Sequence, residues 1–220
     1  MTLTIRGRDI SRVCIVDDDP RVRDSYRWTV EDLSMMPIPI DGPLGDLVQF
    51  VEKMQTTGEA SICDYMLRVK NYATFNGAEL VAQQYRKHFP AVLCTRWETG
   101  NIAEIRRYRR YIPALLKPDE LDPDSLMRAF ECCVEEFHDQ FRPIRRPWRS
   151  VVRVEYVDRE GGYVGVIVSG WDPQRGIKLL LADLPPTVQE RVADQERFFA
   201  QVNIGAEANE DLYFEDWQVG

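Results

Sequence analysis

Short apolar runs alternate with amphipathic segments along the first 140 residues. The apolar runs are rich in β-branched residues and end at acids, prolines or polar residues, a pattern typical of buried strands. The amphipathic segments place apolar residues at helical spacing. The strands are predicted at RVCIV (12–16), ASIC (60–63), AVLC (91–94) and ALL (114–116), and the helices at 21–33, 46–54, 77–89, 101–111 and 122–141.

This alternation predicts the fold class of the first part of the chain. Strands that alternate with helices form a parallel sheet with helices on both faces. In such α/β folds, functional residues lie at the carboxyl ends of the strands. Pro20 is expected in the first turn of its helix, and Asp122 or Asp124 is expected to cap the helix of 122–141.

The pattern changes at FRPIRRPWRS, residues 141–150, which holds two prolines and four arginines. Prolines and charges after a helix are typical of a linker. Beyond it, five β-like segments and one helical segment predict a small, mostly-β domain, a barrel or a sandwich. The predicted domains are therefore 1–140, the linker 141–150 and 151–220; the five segments are 151–157, 163–170, 176–184, 197–204 and 211–218, and the helix is 185–197.

Composition fits a folded, soluble protein. The chain has 220 residues, of which 44% are hydrophobic and 29% are charged. No apolar run reaches the roughly 18 residues of a membrane span, and the start of the chain lacks the apolar centre of a secretion signal. We therefore expect a cytoplasmic protein that has no membrane partner.

The charge balance argues against nucleic acid as a partner. The net charge is −8, and residues 146–220 carry eight Arg or Lys against thirteen Asp or Glu, a net charge of −5. An acidic protein repels a phosphate backbone unless a local basic patch offsets the repulsion. The second domain also lacks His, Cys and a glycine-rich phosphate loop, so no enzymatic activity is expected.

The five cysteines read as small core residues of a reducing compartment. Cys14, Cys63 and Cys94 lie inside apolar runs, while Cys132 and Cys133 are adjacent in a helical pattern. Their spacing is not that of a zinc site.

Polar residues follow each predicted strand of the first domain. Asp17 and Asp18 follow the first strand, Asp64 the second, Thr95 the third and Lys117 the fourth. The carboxyl ends of parallel strands meet at one edge of a sheet, so these side chains should converge. Three carboxylates in one place repel one another unless a cation neutralises them, and a hard divalent ion such as Mg²⁺ accepts oxygen ligands.

Each of these groups has a use in phosphoryl transfer. Asp64 can act as a nucleophile that becomes an aspartyl phosphate. Lys117 supplies positive charge for the transferred oxygens, and the Thr95 hydroxyl can donate to another of them.

In this order, the motifs resemble the receiver domain of two-component response regulators. The resemblance rests on IVDDDP, on Asp64 in ICDYML, on LCT ending at Thr95 and on LLKP ending at Lys117, and it covers residues 12 to about 140. It implies a flavodoxin-like fold with five parallel strands. It also implies phosphorylation of Asp64 by a histidine kinase or a phosphotransfer protein, and possible homodimerisation.

The resemblance further implies the set of Mg²⁺ ligands. Asp17 and Asp18 would organise the ion, with Asp18 the direct ligand. Asp64 and the backbone carbonyl of Met66 would complete the protein ligands, and Asp19 would be accessory.

Three features depart from the family. The loop RVKNYATFNG after Asp64 is long and lacks proline, Arg96 follows Thr95 where a small residue is usual, and Ala114 replaces the usual aromatic. Access to the site and the coupling of hydroxyl and aromatic are therefore expected to differ from the family's pattern. The basic segment RRYRRY (106–111) is either an interface for an acidic partner or second copy, or a solvated helix face.

The leading interpretation is a response regulator that signals through a protein effector bound by its β-rich domain. Two alternatives stay open. One is a transcriptional regulator with an atypical β-type DNA-binding domain, and the other is a pseudo-receiver scaffold that never takes phosphate. The acidic end, 205–218, interleaves aromatics with acids and is expected to form an edge strand that closes its domain's core.

Overall fold

A computed structural model describes residues 2–96 and 99–220, with only the backbone described for residues 99–101. Contacts divide the chain into two compact units. Unit 1 comprises Met1–Trp97 and Tyr111–Gln140, and unit 2 comprises Glu98–Arg110 and Phe141–Gly220. The segment from 98 to 110, inside the predicted receiver range, is thus grouped with the C-terminal half. The boundaries at 140 and 150 stay a prediction about independently folding domains.

Unit 1 contains a five-stranded parallel sheet. The strand order is β4-β3-β5-β6-β7, so the first strand of this sheet in the chain lies between the second and the third. This is the flavodoxin-like order 2-1-3-4-5. The strands are β3 (Arg12–Val16), β4 (Met36–Pro39), β5 (Ala60–Cys63), β6 (Ala91–Cys94) and β7 (Ala114–Leu116).

Helices flank this sheet. Every residue of β5 and β6 is buried, which explains why both strands read as continuous apolar runs rather than as alternating ones. Leu126 and Phe130 of the last helix pack in one cluster with Val13 and Ile15 of the first sheet strand. The predicted α/β class is confirmed; the helices are α1 (Pro20–Asp32), α2 (Leu47–Thr57), α3 (Gly77–Arg86) and α5 (Pro123–Glu136).

Side-chain caps fix the starts of these helices. Asp19 accepts a hydrogen bond from the Arg21 N–H, and Pro20 occupies the first turn of α1 as predicted. Asp122, rather than Asp124, caps α5 and forms a reciprocal capping box with Ser125.

Two elements of unit 1 escaped sequence reasoning. An antiparallel hairpin, β1 (Leu3–Ile5) and β2 (Arg8–Ile10), precedes the sheet. The strand β4 contains two prolines, which disguise a strand because proline cannot donate to a sheet ladder. The prolines are tolerated in β4 because it is an edge strand that pairs only with β3.

Unit 2 is built on a second sheet, five-stranded and antiparallel, in the order β10-β9-β8-β11-β12. The mostly-β prediction is confirmed, but among the described residues the strands form one open sheet instead of a barrel or sandwich. The predicted helix of 185–197 shortens to α6 (Pro186–Gln189). The strands are β8 (Trp148–Asp158), β9 (Tyr163–Val168), β10 (Ile177–Leu180), β11 (Arg197–Val202) and β12 (Phe214–Val219).

One face of this sheet carries the core of unit 2. Val152, Val166 and Phe198 on that face are buried, and Leu184 and Val188 from the segment around α6 pack with them. The aromatics of the acidic end close this core. Phe214 and Trp217 of the edge strand β12 stack on each other with their ring centroids 5.6 Å apart, and both rings pack against the core. The expectation that these aromatics close the core is confirmed.

The basic segment RRYRRY spans the end of α4 (Thr99–Arg106) and the 3-10 turn Arg109–Tyr111, and its first five residues, 106–110, lie within unit 2. Its arginines meet acidic and carbonyl groups of the C-terminal half. Arg106 Nη1 donates to the Asn209 carbonyl at 2.7 Å, Arg109 pairs with Asp211 at 2.7 Å, and Arg110 pairs with Glu215 at 3.2 Å. Arg107 pairs with Asp183. The arginines of the segment therefore have partners within unit 2, so the segment is not simply a solvated helix face.

All five thiols are buried and free of disulfides. Burial raises the pKa values of Cys14, Cys63 and Cys94 to about 12. Since the thiolate is the reactive form, we expect the native protein to react with Ellman's reagent at far less than one thiol per chain within minutes. In denaturant, all five should react at once. Fast labelling of a native thiol would contradict the buried placement.

No helix in the described chain has the length and apolar character that a bilayer crossing requires.

Candidate functional site

The strand order of unit 1 creates a crevice between β3 and β5. The chain moves from β3 to one side of the sheet and then returns past it to β5, so the connections leave these two strands in opposite directions. Crevices at such a switch point, outside the carboxyl ends of the strands, are where α/β sheets bind ligands. A cavity of about 610 Å³ opens there, and its walls include Asp17, Asp18, Asp64, Met66, Thr95 and Arg96.

The β3 end supplies the acidic pair. Asp17 is only 4% exposed, and its Oδ1 accepts the Asp19 N–H at 2.8 Å. Burial raises the pKa of Asp17 to about 7, although the Asp19 N–H opposes the shift; the nearby charges of Asp64, Asp18 and Asp19 add to it. Arg23 of α1 fixes the turn by donating to the Asp17 carbonyl at 2.6 Å. The acids are therefore close enough to repel one another.

The β5 end supplies Asp64, which lies half-buried beside the pair. Its Oδ2 accepts the Met66 N–H at 2.7 Å, and the Thr95 hydroxyl also bonds to its carboxylate. Burial raises the pKa of Asp64, the Met66 and Thr95 bonds lower it, and Asp18 raises it. Three donors, which are the N–H groups of Met66 and Tyr65 and the Thr95 hydroxyl, thus orient this carboxylate and lower the pKa that burial raises.

Lys117 lies at the same edge of the sheet. The Thr95 N–H donates to the Leu116 carbonyl at 2.9 Å, which places Lys117 at the neighbouring strand end. Its own N–H donates to Glu120 Oε2 at 2.8 Å, and Pro118 lines the cavity. The Lys117 side chain is exposed and is not among the described residues of the cavity wall. The structure thus joins Asp17, Asp18, Asp64 and Thr95 closely, with the lysine at the rim.

The carboxylates at this edge of the sheet are suited to a Mg²⁺ ion that keeps several of its waters, rather than to an ion enclosed by protein ligands alone. Within the described part of the chain, no three His, Cys, Asp or Glu side chains converge enough to hold a metal together. Mg²⁺ keeps several waters and uses one or two carboxylates, so two acids and the Met66 carbonyl suffice. Burial is the largest cause of the raised pKa values of Asp17 and Asp64, and the neighbouring carboxylates add to it; a bound cation would favour the charged form of both acids.

Lys70 is a residue of the site that the sequence pattern did not indicate. It lies in the long loop after Asp64, and its Nζ lies 3.3 Å from Asp18 Oδ2. Both Lys70 and Asn71 have positive φ, so the loop folds back tightly at this point. The only sequence signal was the unusual length of the loop. The protein thus supplies its own cation to the acidic pair.

We expect Lys70→Ala to strengthen Mg²⁺ binding because the ion no longer competes with the ammonium for Asp18. The lysine side chain is 71% exposed, and exposed ion pairs contribute about 0.2–1 kcal/mol, so the gain should be at most about fivefold. Isothermal titration calorimetry with MgCl₂ measures it. Lys53→Ala, on the exposed side of α2, is the matched control. Equal or weaker binding in the Lys70 variant would refute this competition.

Gly77 lets α3 begin against the backbone of Asp64. A Cβ at position 77 would lie 1.8 Å from the Asp64 carbonyl oxygen and 3.1 Å from the Tyr65 Cα. The Gly77 N–H donates to the Tyr65 carbonyl at 2.9 Å, so the two segments are tied together at this spot. The acid and the helix can approach this closely because glycine has no side chain.

Gly77→Ala should therefore displace the backbone that carries Asp64. The clash is with backbone atoms, so we expect a loss of about 1–3 kcal/mol in the free energy of unfolding, measured by urea denaturation. Gly170→Ala is the control, since its Cβ would make an ordinary contact at 3.5 Å. Two variants of equal stability would show that the close approach carries no strain.

The other departures from the receiver pattern can also be placed. Arg96 is exposed and lines the cavity, next to Thr95. Ala114 is half-buried in β7, opposite Val92 of β6. Arg68 of the long loop pairs with Glu79 of α3 at 3.0 Å, and Tyr72 bonds to the Ile40 carbonyl at 2.7 Å. The loop is thus anchored at its start by Arg68 and in its middle by Tyr72.

Comparisons with known proteins find similarity of fold at low sequence identity. No family model and no curated protein sequence matches the chain. A response regulator receiver domain protein from Clostridium thermocellum matches at 9% identity and a TM-score of 0.43, over 59% of this chain and 98% of that one. A putative response regulator from Chloroflexus aurantiacus matches at 14% identity and a TM-score of 0.43, and the match covers 56% of this chain and 98% of that one. The chemotaxis response regulator CheY4 of Vibrio cholerae matches at 18% identity and a TM-score of 0.40, and the match covers 56% of this chain and 98% of that one.

Proposed function

We propose that the chain is a response regulator of a two-component phosphorelay, in which Asp64 accepts a phosphoryl group and unit 2 carries the output. One observation carries the proposal. At the switch point of a 2-1-3-4-5 sheet, the Asp64 carboxylate bonds to the Thr95 hydroxyl and shares a cavity with Asp17 and Asp18. A phosphoryl group with its negative oxygens is the ligand that this arrangement would position.

The transfer step follows from the placement of Asp64. An Asp64 carboxylate oxygen attacks phosphorus, a new O–P bond forms, and the bond from phosphorus to the donor breaks. The donor group leaves with the electron pair. The Met66 N–H and the Thr95 hydroxyl orient the nucleophile before attack, and the hydroxyl can then donate to a phosphoryl oxygen.

Two further groups would balance charge. Asp18, Asp64 and the Met66 carbonyl would hold Mg²⁺ with Asp17 as a supporting acid, and the bound ion supplies neutralisation of the carboxylate and phosphoryl oxygens. Lys117, at the rim, has a flexible side chain that can reach a bound phosphoryl group. A histidine kinase or a phosphotransfer protein would be the donor.

Chain continuity offers a route to the output. Thr95 directly follows β6 in unit 1, and α4 begins four residues later and packs within unit 2 through Arg106. We propose that phosphorylation of Asp64 is reported to unit 2, which the chain enters after Thr95, and that the effector of the pathway binds unit 2.

Incubation with acetyl phosphate and MgCl₂, read by intact-protein mass spectrometry, tests the proposal. We expect the mass of one phosphoryl group to be added, and to be lost when EDTA replaces Mg²⁺. No addition under any Mg²⁺ concentration would favour the second candidate, a phosphorylation-independent scaffold. The ion pair of Lys70 with Asp18 is the observation on its side, because it already neutralises one acid.

A further inference from the structure

The outward face of the unit 2 sheet bears a cluster of cations. Strand β8 places Arg149, Val151 and Arg153 on this face, and β11 places Arg197 and Phe199 beside them. The opposite face is the buried core, as the alternating burial of both strands shows. We call these five residues the arginine face.

Two arginines of this face are directly opposed. Arg153 and Arg197 are register partners on the antiparallel strands β8 and β11. Like charges at such positions destabilise a sheet. Within the described chain, neither guanidinium lies within ion-pair distance of a carboxylate; Arg153 donates only to the neutral amide of Gln195, at 3.0 Å. A pair that costs stability and has no internal counter-charge suits an external anion.

Flat apolar groups lie beside the cations. The Arg149 guanidinium lies over the Phe199 ring at 3.7 Å, and Val151 is 37% exposed. Tyr156, on the same side after the bulge in β8, covers Gly165 and is 45% exposed. Glu155 occupies the bulge itself, with its carboxylate beside Gly176. The face therefore offers positive charge together with planar surfaces.

We propose that the arginine face binds single-stranded nucleic acid. Phosphates would bind Arg153 and Arg197, and unstacked bases would lie on the Arg149 guanidinium, which Phe199 supports from below, and on the Tyr156 ring. A duplex hides its base faces within the stack, so the planar groups of this face would have no bases to contact there. An acidic protein would match the arginines but would not use the planar surfaces. The inference does not depend on phosphorylation of Asp64.

The overall acidity of this half of the chain sets the expected character of binding. The net charge of residues 146–220 is −5, but the sheet gathers arginines onto one face while acids such as Asp183 and Asp211 pair with the arginines of the 106–110 segment. Binding should therefore be modest and strongly salt-dependent. With two phosphate contacts, the logarithm of the binding constant should fall with the logarithm of the salt concentration with a slope of about −1.4.

Fluorescence anisotropy with a labelled oligothymidylate of about 15 nucleotides tests the proposal on the full chain. We expect the double variant Arg153→Gln/Arg197→Gln to weaken binding at least about tenfold and to make the salt slope shallower by about 1.4. Arg191→Gln, at an exposed arginine of the segment after α6, should bind like the wild type. Because the variant removes a repulsive pair, its melting temperature should be unchanged or higher.

Several results would overturn the proposal. They are the absence of binding at low salt, equal binding by the double variant, and tighter binding of a duplex of the same length. Tighter binding of labelled polyglutamate to the same face would assign it to an acidic protein instead. None of these results bears on acceptance of phosphate by Asp64, which the acetyl phosphate experiment decides separately.

Discussion

Asp64→Asn is expected to abolish phosphoryl incorporation from acetyl phosphate. The substitution keeps the size of the side chain but replaces the nucleophilic carboxylate with an amide, which does not attack phosphorus. An amide oxygen can still accept the Met66 N–H, so the local structure should persist. Intact-protein mass spectrometry should show full modification in the wild type and none in the variant.

A matched substitution separates chemistry from folding. Asp46 caps α2 by accepting the Val48 N–H at 2.9 Å and lies outside the described wall of the cavity. Asparagine is an equally good cap, so Asp46→Asn should be modified like the wild type. If Asp64→Asn still gained a phosphoryl group, the acceptor would lie elsewhere, and peptide mapping would locate it. Loss of modification in both variants would point to a folding effect.

Arg145→Ala is expected to lower the free energy of unfolding of unit 2 by about 3–5 kcal/mol. The Arg145 side chain is only 2% exposed, inside the segment that the sequence presents as a linker. Its Nη1 donates to the Arg109 carbonyl at 3.0 Å and its Nη2 to the Arg110 carbonyl at 2.8 Å. Alanine removes both donors and leaves a cavity beside the Tyr213 ring, whose centroid is 5.0 Å from the guanidinium.

The adjacent residue provides the control. Arg146 is exposed and lies 4.6 Å from the Trp148 ring centroid, so Arg146→Ala should cost no more than about 1 kcal/mol. Hydrogen exchange followed by mass spectrometry resolves the two units. Peptides from β8 and β11 should lose protection in the Arg145 variant and keep it in the Arg146 variant. Equal protection in both would show that the buried arginine does not hold unit 2 together.

The arginine at 145 also shows why a composition signal can mislead. Prolines and arginines between two patterned regions are typical of an exposed linker. Here Arg145 and Tyr213 hold each other, because the tyrosine hydroxyl donates to the Arg145 carbonyl at 2.6 Å. The partners are 68 residues apart, and nothing near Arg145 in the sequence indicates the distant tyrosine.

The sequence by itself determined the parallel sheet and the convergence of Asp17, Asp18, Asp64 and Thr95. Strands buried on both faces are continuous apolar runs, and the parallel orientation of these strands brings every carboxyl end to one edge of the sheet. Both constraints act on short stretches of chain and on the order of the strands, so the pattern of apolar and polar residues is enough to predict them. The strand with two prolines, β4, was missed because its local pattern contradicts its role at the edge of the sheet.

Only the tertiary structure decided how the remaining charges are used. It placed Lys70 on Asp18, grouped α4 with the C-terminal half, buried Arg145, and set Arg153 opposite Arg197. Each of these depends on a contact or a strand register between residues far apart in the sequence. The sequence does not identify such partners, because charged side chains follow no periodicity along the chain. The attraction between two charges depends on their distance, and only the folded backbone sets that distance.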